Sequence, residues 1–102
     1  MVNLWFDKQA EANATYGHIS DWNVSAVTNM SEAFKGRTEF DEDISGWDVS
    51  SVISMYGMFE EASSFNQPLN DWDTSSVSDM NAMFALAFDF NQPLNDWNTS
   101  SV

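Results

Sequence analysis

The sequence predicts an α/β solenoid in which a short strand and a short helix alternate within a unit of 25 residues. Tryptophan returns every 25 residues, and serine, valine, methionine and phenylalanine recur at fixed offsets from it. A fixed repeat of this length is typical of a solenoid, because each unit buries its apolar face against its neighbours. The repeating tryptophans are Trp22, Trp47, Trp72 and Trp97.

A strand is predicted around each tryptophan. In the third repeat, Trp72 and Thr74 alternate with Asp71 and Asp73, which is the pattern of a half-buried strand. Identical strands one period apart are expected to stack as a short parallel sheet on one face of the solenoid. The predicted strands are 19–24, 44–49, 69–74 and 94–99.

A short helix is predicted after each strand, on the opposite face of the solenoid. Ser75 is a suitable N-cap residue, and Val77, Met80 and Phe84 then recur at the spacing of one helical stripe. An Asn-Gln-Pro sequence that ends at Pro93 turns the chain into the next strand, where proline removes no ladder bond. The predicted helices are 2–13, 26–36, 51–61 and 76–87.

The 102 residues are interpreted as a single domain, a fragment of a solenoid. Residues 1–18 are interpreted as a degenerate repeat that forms an N-terminal capping helix, because Lys8 and Gln9 stand where later repeats are apolar. The repeats that follow are 19–43, 44–68 and 69–93, with a partial repeat at 94–102.

The chain is strongly acidic, with 16 aspartates and glutamates against three lysines and arginines and a net charge of −13. This charge argues against binding to nucleic acid or to anionic membranes, and no apolar run is long enough for membrane insertion. Cysteine is absent, so thiol chemistry is excluded. The charge favours cationic, polar or metal partners, although acidity also serves to keep an extended surface soluble.

The string FNQPLNDWDTSSVSDMNAMF, from Phe65 to Phe84, resembles the bacterial surface-protein repeat of the BspA-like leucine-rich class. Repeats of this class also occur in mycoplasma lipoproteins and listerial surface proteins. The resemblance covers about residues 19–102 and implies a leucine-rich-repeat-like solenoid. It also implies an extracellular location at the cell surface, in a wall- or membrane-tethered protein whose usual role is adhesion or partner binding.

The outward positions of the predicted strands form two polar columns. Carboxylates on neighbouring strands, about 5 Å apart, repel each other, so their pKa values are expected to be raised. We expect these columns to form an acidic face that binds a host or cell-surface protein or glycan. In the alternative interpretation, the side chains bond locally to the backbone while they face water. The candidate binding residues are Asp21, Asn23, Asp48, Asp71, Asp73, Asp96 and Asn98.

Other candidate sites are weaker. The sequence from Asp41 to Gly46 resembles the start of a calcium loop, but Val52 stands where the bidentate glutamate is needed, so no metal site is expected. His18, the single histidine, is interpreted as a turn residue. No catalytic residue and no cofactor are expected, because an open solenoid face offers no closed pocket in which a pKa is shifted.

The sequence therefore predicts a non-catalytic surface module for adhesion or interaction. A structural spacer and a divalent-cation-binding module are the alternatives.

Strand 94–99 is predicted to be an open edge beside apolar Leu86 and Phe88, and self-association through this C-terminal end is expected.

Overall fold

The computed structural model describes Ala14 and residues 17–102 of the chain. Ala14 is helical, and within residues 17–102 the only regular element is a 3-10 helix, Ile19–Asp21, while the remainder consists of turns and irregular segments. Two isolated parallel bridges join Asn29 to Ser54 and Ser54 to Asp79, and the described residues form no sheet. The predicted α/β, leucine-rich-repeat-like arrangement of strands and helices is therefore wrong.

The described segments that were predicted as helices, 26–36, 51–61 and 76–87, consist of turns, and the first two donate backbone bonds to the next repeat. The N–H of Met30 donates to the carbonyl of Ser54 at 2.9 Å, and the N–H of Met55 donates in turn to Asp79 at 2.8 Å. Four such columns of hydrogen-bonded peptides run side by side through the stacked turns. Their donors lie at every second residue, at positions 30, 32, 34 and 36 in one repeat and at 55, 57, 59 and 61 in the next.

Residues with positive φ interrupt these segments and prevent a continuous helix. Glu32, Gly57 and Ala82 occupy the same position in successive repeats, with φ angles of 58°, 58° and 57°. Four residues further on, φ is again positive in every repeat. A left-handed residue turns its peptide away from the helical direction, so the chain of i to i−4 bonds cannot form. The bonds between repeats replace those within a helix, and tertiary contacts thereby override the helical spacing of the apolar residues.

The segments predicted as strands each begin with a turn, in which the tryptophan N–H donates to a carbonyl three residues earlier, as from Trp72 to Leu69 at 3.1 Å. The predicted alternation of side chains is nevertheless present around Trp72. Trp72 and Thr74 are buried, whereas Asp71 and Asp73 are exposed. Within the described part, however, no backbone ladder joins these segments to one another. Each indole N–H instead reaches back to the preceding repeat, as in the 3.0 Å bond from Trp72 to the carbonyl of Ile44.

Two columns of phenylalanine rings form the centre of the core. Rings one repeat apart lie 5.5–6.0 Å apart between centroids and are nearly parallel, and the two columns contact each other at 4.2–4.3 Å. Offset stacking at such separations contributes beyond the area that it buries. The first column is Phe34, Phe59 and Phe84, and the second is Phe40, Phe65 and Phe90.

The predicted capping helix, with Lys8 and Gln9, lies outside the described residues. The division of the chain into repeats at 19–43, 44–68 and 69–93 stays a prediction. Across the described part, no helix is both long enough and apolar enough to cross a membrane.

Candidate functional site

A row of exposed turns built around the same backbone contact recurs once per repeat, beginning at the residue after each repeating tryptophan. In each turn, a side-chain oxygen of Asn or Asp accepts a hydrogen bond from the backbone N–H of the serine two residues later, an arrangement known as an Asx turn. In the third repeat, Asp73 Oδ1 accepts from Ser75 N at 3.0 Å and from Ser75 Oγ at 2.6 Å. We call this row the Asx face, and its residues are Asn23, Asp48, Asp73 and Asn98.

The serine partners lower the pKa values of the two aspartates on the Asx face. The Ser50 hydroxyl, followed by the Ser50 backbone amide, holds the pKa of Asp48 below its usual value. Ser75 lowers the pKa of Asp73 in the same way. The charge of Asp48 opposes this shift at Asp73, but it is the smallest of the causes.

The expectation that mutual repulsion raises these pKa values was therefore wrong for Asp48 and Asp73. The physical reason is that the serine groups are in direct contact with each carboxylate, whereas the carboxylates face one another across solvent. Direct hydrogen bonds to a carboxylate strongly favour its charged form, whereas repulsion between exposed carboxylates is weakened by water and salt. The local hydrogen bonds that the alternative interpretation expects are present at the Asx face.

The remaining predicted residues, Asp21, Asp71 and Asp96, are also exposed. Asp21 ends the 3-10 helix. Asp96 is bound to Asn70 of the preceding repeat, since its N–H donates to Asn70 Oδ1 at 3.0 Å and Asn70 Nδ2 donates to Asp96 Oδ2 at 2.9 Å. All seven candidate residues therefore lie at the surface, but only the four members of the Asx face share one construction.

The calcium-like sequence serves two separate structural roles. Asp43 Oδ1 accepts from Ser45 N at 2.9 Å, and the Ser45 side chain and backbone hold the pKa of Asp43 below its usual value. Asp41 Oδ1 points to the next repeat and accepts from Asn66 N and Gln67 Nε2. Among the residues that the structure describes, no group of three or more His, Cys, Asp or Glu is placed to hold a metal ion.

The Asp41 contact belongs to a side-chain ladder that the sequence did not reveal. Asn66 Oδ1, one repeat later, accepts from Asn91 N at 2.9 Å and from Gln92 Nε2 at 3.0 Å. The Asn-Gln-Pro sequence was interpreted only as a turn. Its recurrence at a period of 25 residues was the available signal for a contact between repeats.

Two further polar residues, His18 and Lys35, form polar contacts with residues of their own chain. His18 is a turn residue as predicted, because its Nδ1 accepts from Ser20 N at 3.2 Å and caps the 3-10 helix. Lys35 Nζ contacts Glu60 at 3.0 Å and Glu32 at 3.1 Å, and its hydrogen bonds to these carboxylates raise the pKa of Lys35. This lysine therefore neutralises carboxylates of its own chain.

An open apolar hollow of about 470 Å³ lies at the C-terminal end of the array. Met80, Phe84, Leu94 and Trp97 are among its lining residues, and no ionisable side chain lines it. Its surface can therefore bury apolar groups but supplies no acid or base. Sequence analysis identified the neighbouring apolar residues at this end but not the hollow.

A family model described as "Mycoplasma protein of unknown function, DUF285" matches residues 2–102. The chain belongs to this family. The match agrees with the mycoplasma side of the resemblance, while the description of DUF285 assigns no function. No curated protein and no solved structure matches the chain.

Proposed function

We propose that this chain is a non-catalytic repeat module of an extracellular cell-surface protein, and that it binds a host or cell-surface protein or glycan through the Asx face. The observation that carries the proposal is the recurrence of one exposed turn in four successive repeats. Side chains that are already fixed by hydrogen bonds lose little conformational freedom when a partner binds. Such a row therefore offers a partner a preorganised surface.

The chemistry of the Asx face favours a basic or hydroxyl-rich partner. Asp48 and Asp73 each use Oδ1 for the serine contact, and their lowered pKa values keep them ionised at neutral pH. Asn23 and Asn98 add amide groups at the two ends of the row. We expect binding to weaken at high salt, because exposed charges are screened.

A structural spacer is the second candidate function. The two phenylalanine columns and the four peptide columns are continuous across the described repeats, which favours a stiff rod. A cation-binding module receives no such support, and we expect calorimetric titration with calcium to show no saturable binding.

Charge and turn geometry can be separated at the Asx face by substitution. Asparagine already forms the same turn at positions 23 and 98, so Asp48→Asn with Asp73→Asn removes two charges and keeps the turns. The double alanine variant at positions 48 and 73 removes the two charges and also the side-chain oxygens that form the turns. A matched control, Glu39→Gln with Asp89→Asn, removes two exposed charges at another position of the repeat.

The four proteins should be compared for binding to immobilised matrix proteins, mucins and glycans. For a basic partner, we expect both Asx-face variants to lose at least about tenfold in affinity, equivalent to about 1.4 kcal/mol, while the control binds like the parent. For a glycan recognised by hydrogen bonds, the asparagine variant should retain binding that the alanine variant loses. Absence of any ligand sensitive to the Asx face would favour the spacer.

A further inference from the structure

Two large apolar side chains are exposed in the middle of the array. Ile53 is 52% exposed and Tyr56 is 38% exposed, while Val52 and Met55 next to them are fully buried. Repeats of the same pattern lie on both sides of these two residues and leave their side chains uncovered. Their exposure therefore does not depend on where the array begins or ends.

Polar residues border Ile53 in the two neighbouring repeats. Its N–H donates to the carbonyl of Thr28 at 2.7 Å, and its own carbonyl accepts from Ser78 N at 2.8 Å. The parallel bridges at the adjacent position hold the three repeats in register. Segments paired in this way lie about 4.8 Å apart, so the exposed hydroxyl residues Thr28 and Ser78 flank the Ile53 side chain.

Tyr56 is bordered in the same way. Ser31 and Asn81 hold the equivalent positions one repeat before and one repeat after it. The apolar pair therefore forms a line that is one repeat wide, between two polar lines. We call this surface the Tyr56 strip, and its residues are Ile53 and Tyr56 with Thr28, Ser31, Ser78 and Asn81.

The size of the Tyr56 strip argues against a protein partner. A protein interface of standard size buries about 800 Å² on each partner and has an apolar core, and two partly exposed side chains supply only a small part of such a core. The strip instead matches a small, flat ligand. Such a ligand would cover the apolar line with one face and form hydrogen bonds with the polar lines at its edges.

A β-linked glucopyranose ring has this distribution of polarity. Its ring substituents are equatorial, so C–H groups occupy both faces and hydroxyl groups project from the edge. The polarised C–H groups pack against the negative face of an aromatic ring such as that of Tyr56. Hydroxyl groups both donate and accept hydrogen bonds, which suits the hydroxyl of Ser31 and the amide of Asn81.

The charge of the surface selects among sugars. Glu32 and Asp79 are exposed and adjoin the Tyr56 strip in the sequence, and the chain has a net charge of −13. This charge repels glycans that carry carboxylate or sulfate groups. It leaves the binding of neutral sugars unopposed.

We propose that the Tyr56 strip is a binding site for a neutral β-linked glucose-type oligosaccharide. One sugar ring stacks on Tyr56, its edge hydroxyls bind Ser31 and Asn81, and the neighbouring ring covers Ile53. This site is separate from the Asx face, and the proposal does not rest on the function proposed for that face.

The proposal is tested by NMR titration of the 102-residue protein with cellopentaose. The chain has three isoleucines, and the buried Ile19 and Ile44 serve as internal controls for the exposed Ile53. We expect saturable shifts of the Ile53 methyl and Tyr56 ring signals, while Ile19 and Ile44 stay unchanged. The expected Kd is about 1 mM, because the contact is small and open to solvent.

The neighbouring repeats supply substitutions that the fold already accommodates. Tyr56→Asn introduces the residue found at position 81, and Tyr56→Ser introduces the residue found at position 31. We expect either variant to bind cellopentaose at least about tenfold more weakly, followed by the Ile53 methyl signal. Tyr56→Phe keeps the ring and should bind within about threefold of the parent. Unchanged Ile19 and Ile44 signals verify that each variant is folded.

Two controls separate this site from the Asx face and from general stickiness. The double alanine variant at positions 48 and 73 should bind cellopentaose like the parent. An oligosaccharide of β-linked glucuronic acid should bind at least about tenfold more weakly than cellopentaose. The proposal is overturned if Tyr56→Asn and Tyr56→Ser bind like the parent, if the double alanine variant loses the sugar, or if the acidic sugar binds equally. Sensitivity to Tyr56 that is found only with a protein ligand also overturns it.

Discussion

At the residue scale, contacts with serine lower the pKa values of Asp48 and Asp73 on the Asx face. Asp48 and Asp73 each lie beside a serine that donates both its hydroxyl and its backbone N–H, and this lowers the pKa of each carboxyl group. A lowered pKa in the folded state means that these groups stabilise the fold above the ordinary aspartate pKa of about 3.9. That stabilisation is lost as the pH falls through the folded pKa.

Removal of the two hydroxyls, with Ser50→Ala and Ser75→Ala, should reduce this acid sensitivity. We expect the difference in melting temperature between about pH 6 and about pH 3 to be smaller in the variant than in the parent. Substitution of the neighbouring exposed serines, Ser51→Ala with Ser76→Ala, serves as the control and should behave like the parent. If the melting temperature falls equally in the parent and in the Ser50/Ser75 variant as the pH is lowered, the proposed cause of the lowered pKa is wrong.

The four repeating tryptophan side chains each contribute through burial and through an indole hydrogen bond. Trp72 is 3% exposed and its indole N–H donates to the carbonyl of Ile44. We expect Trp72→Ala to cost about 3–5 kcal/mol, which is most of the stability of a chain of this size. Trp72→Phe keeps an aromatic ring and should cost less. Denaturant unfolding measures both, and an alanine variant as stable as the parent would contradict the stacked core.

At the element scale, the sign of one glycine substitution distinguishes stacked turns from a helix. A helix over 51–61 would be stabilised by about 0.5–1 kcal/mol on Gly57→Ala. Gly57 has a φ of 58°, so the structure predicts a loss of about 1–2 kcal/mol. The converse change, Glu61→Gly, relieves a positive φ of 61° and should stabilise the protein. Equilibrium unfolding of both variants decides between the two structures.

Side-chain burial could be predicted from the sequence, whereas the path of the backbone could not. Alternation around Trp72 correctly placed the aspartates at the surface, because burial follows the apolar pattern. The spacing of Met80 and Phe84 fits a helical stripe and a stacked turn equally well. The positive φ angles could not be predicted from the sequence either, since three different residue types occupy the same position of the repeat, namely Gly57, Glu32 and Ala82. The decisive bonds lie between repeats, where a local pattern carries no information.

At the scale of the whole molecule, the net charge of −13 opposes folding through self-repulsion. We expect the melting temperature to rise as sodium chloride increases from about 10 mM to about 500 mM. Calcium at matched ionic strength should give no additional rise, because the described residues contain no cluster that could hold a metal ion. A rise specific to calcium would instead indicate a cation site.

The peptide columns have a consequence for the electrical character of the molecule. The peptide that links Ser54 to Met55 accepts from Met30 and donates to Asp79, so its dipole is aligned with those before and after it. Aligned peptide dipoles add, as they do along an α-helix, and hydrogen bonds in a chain polarise one another. The described columns therefore add to a dipole whose positive end points along the array from the first repeat towards the last, so that within a chain of strongly negative net charge the backbone field has a fixed direction.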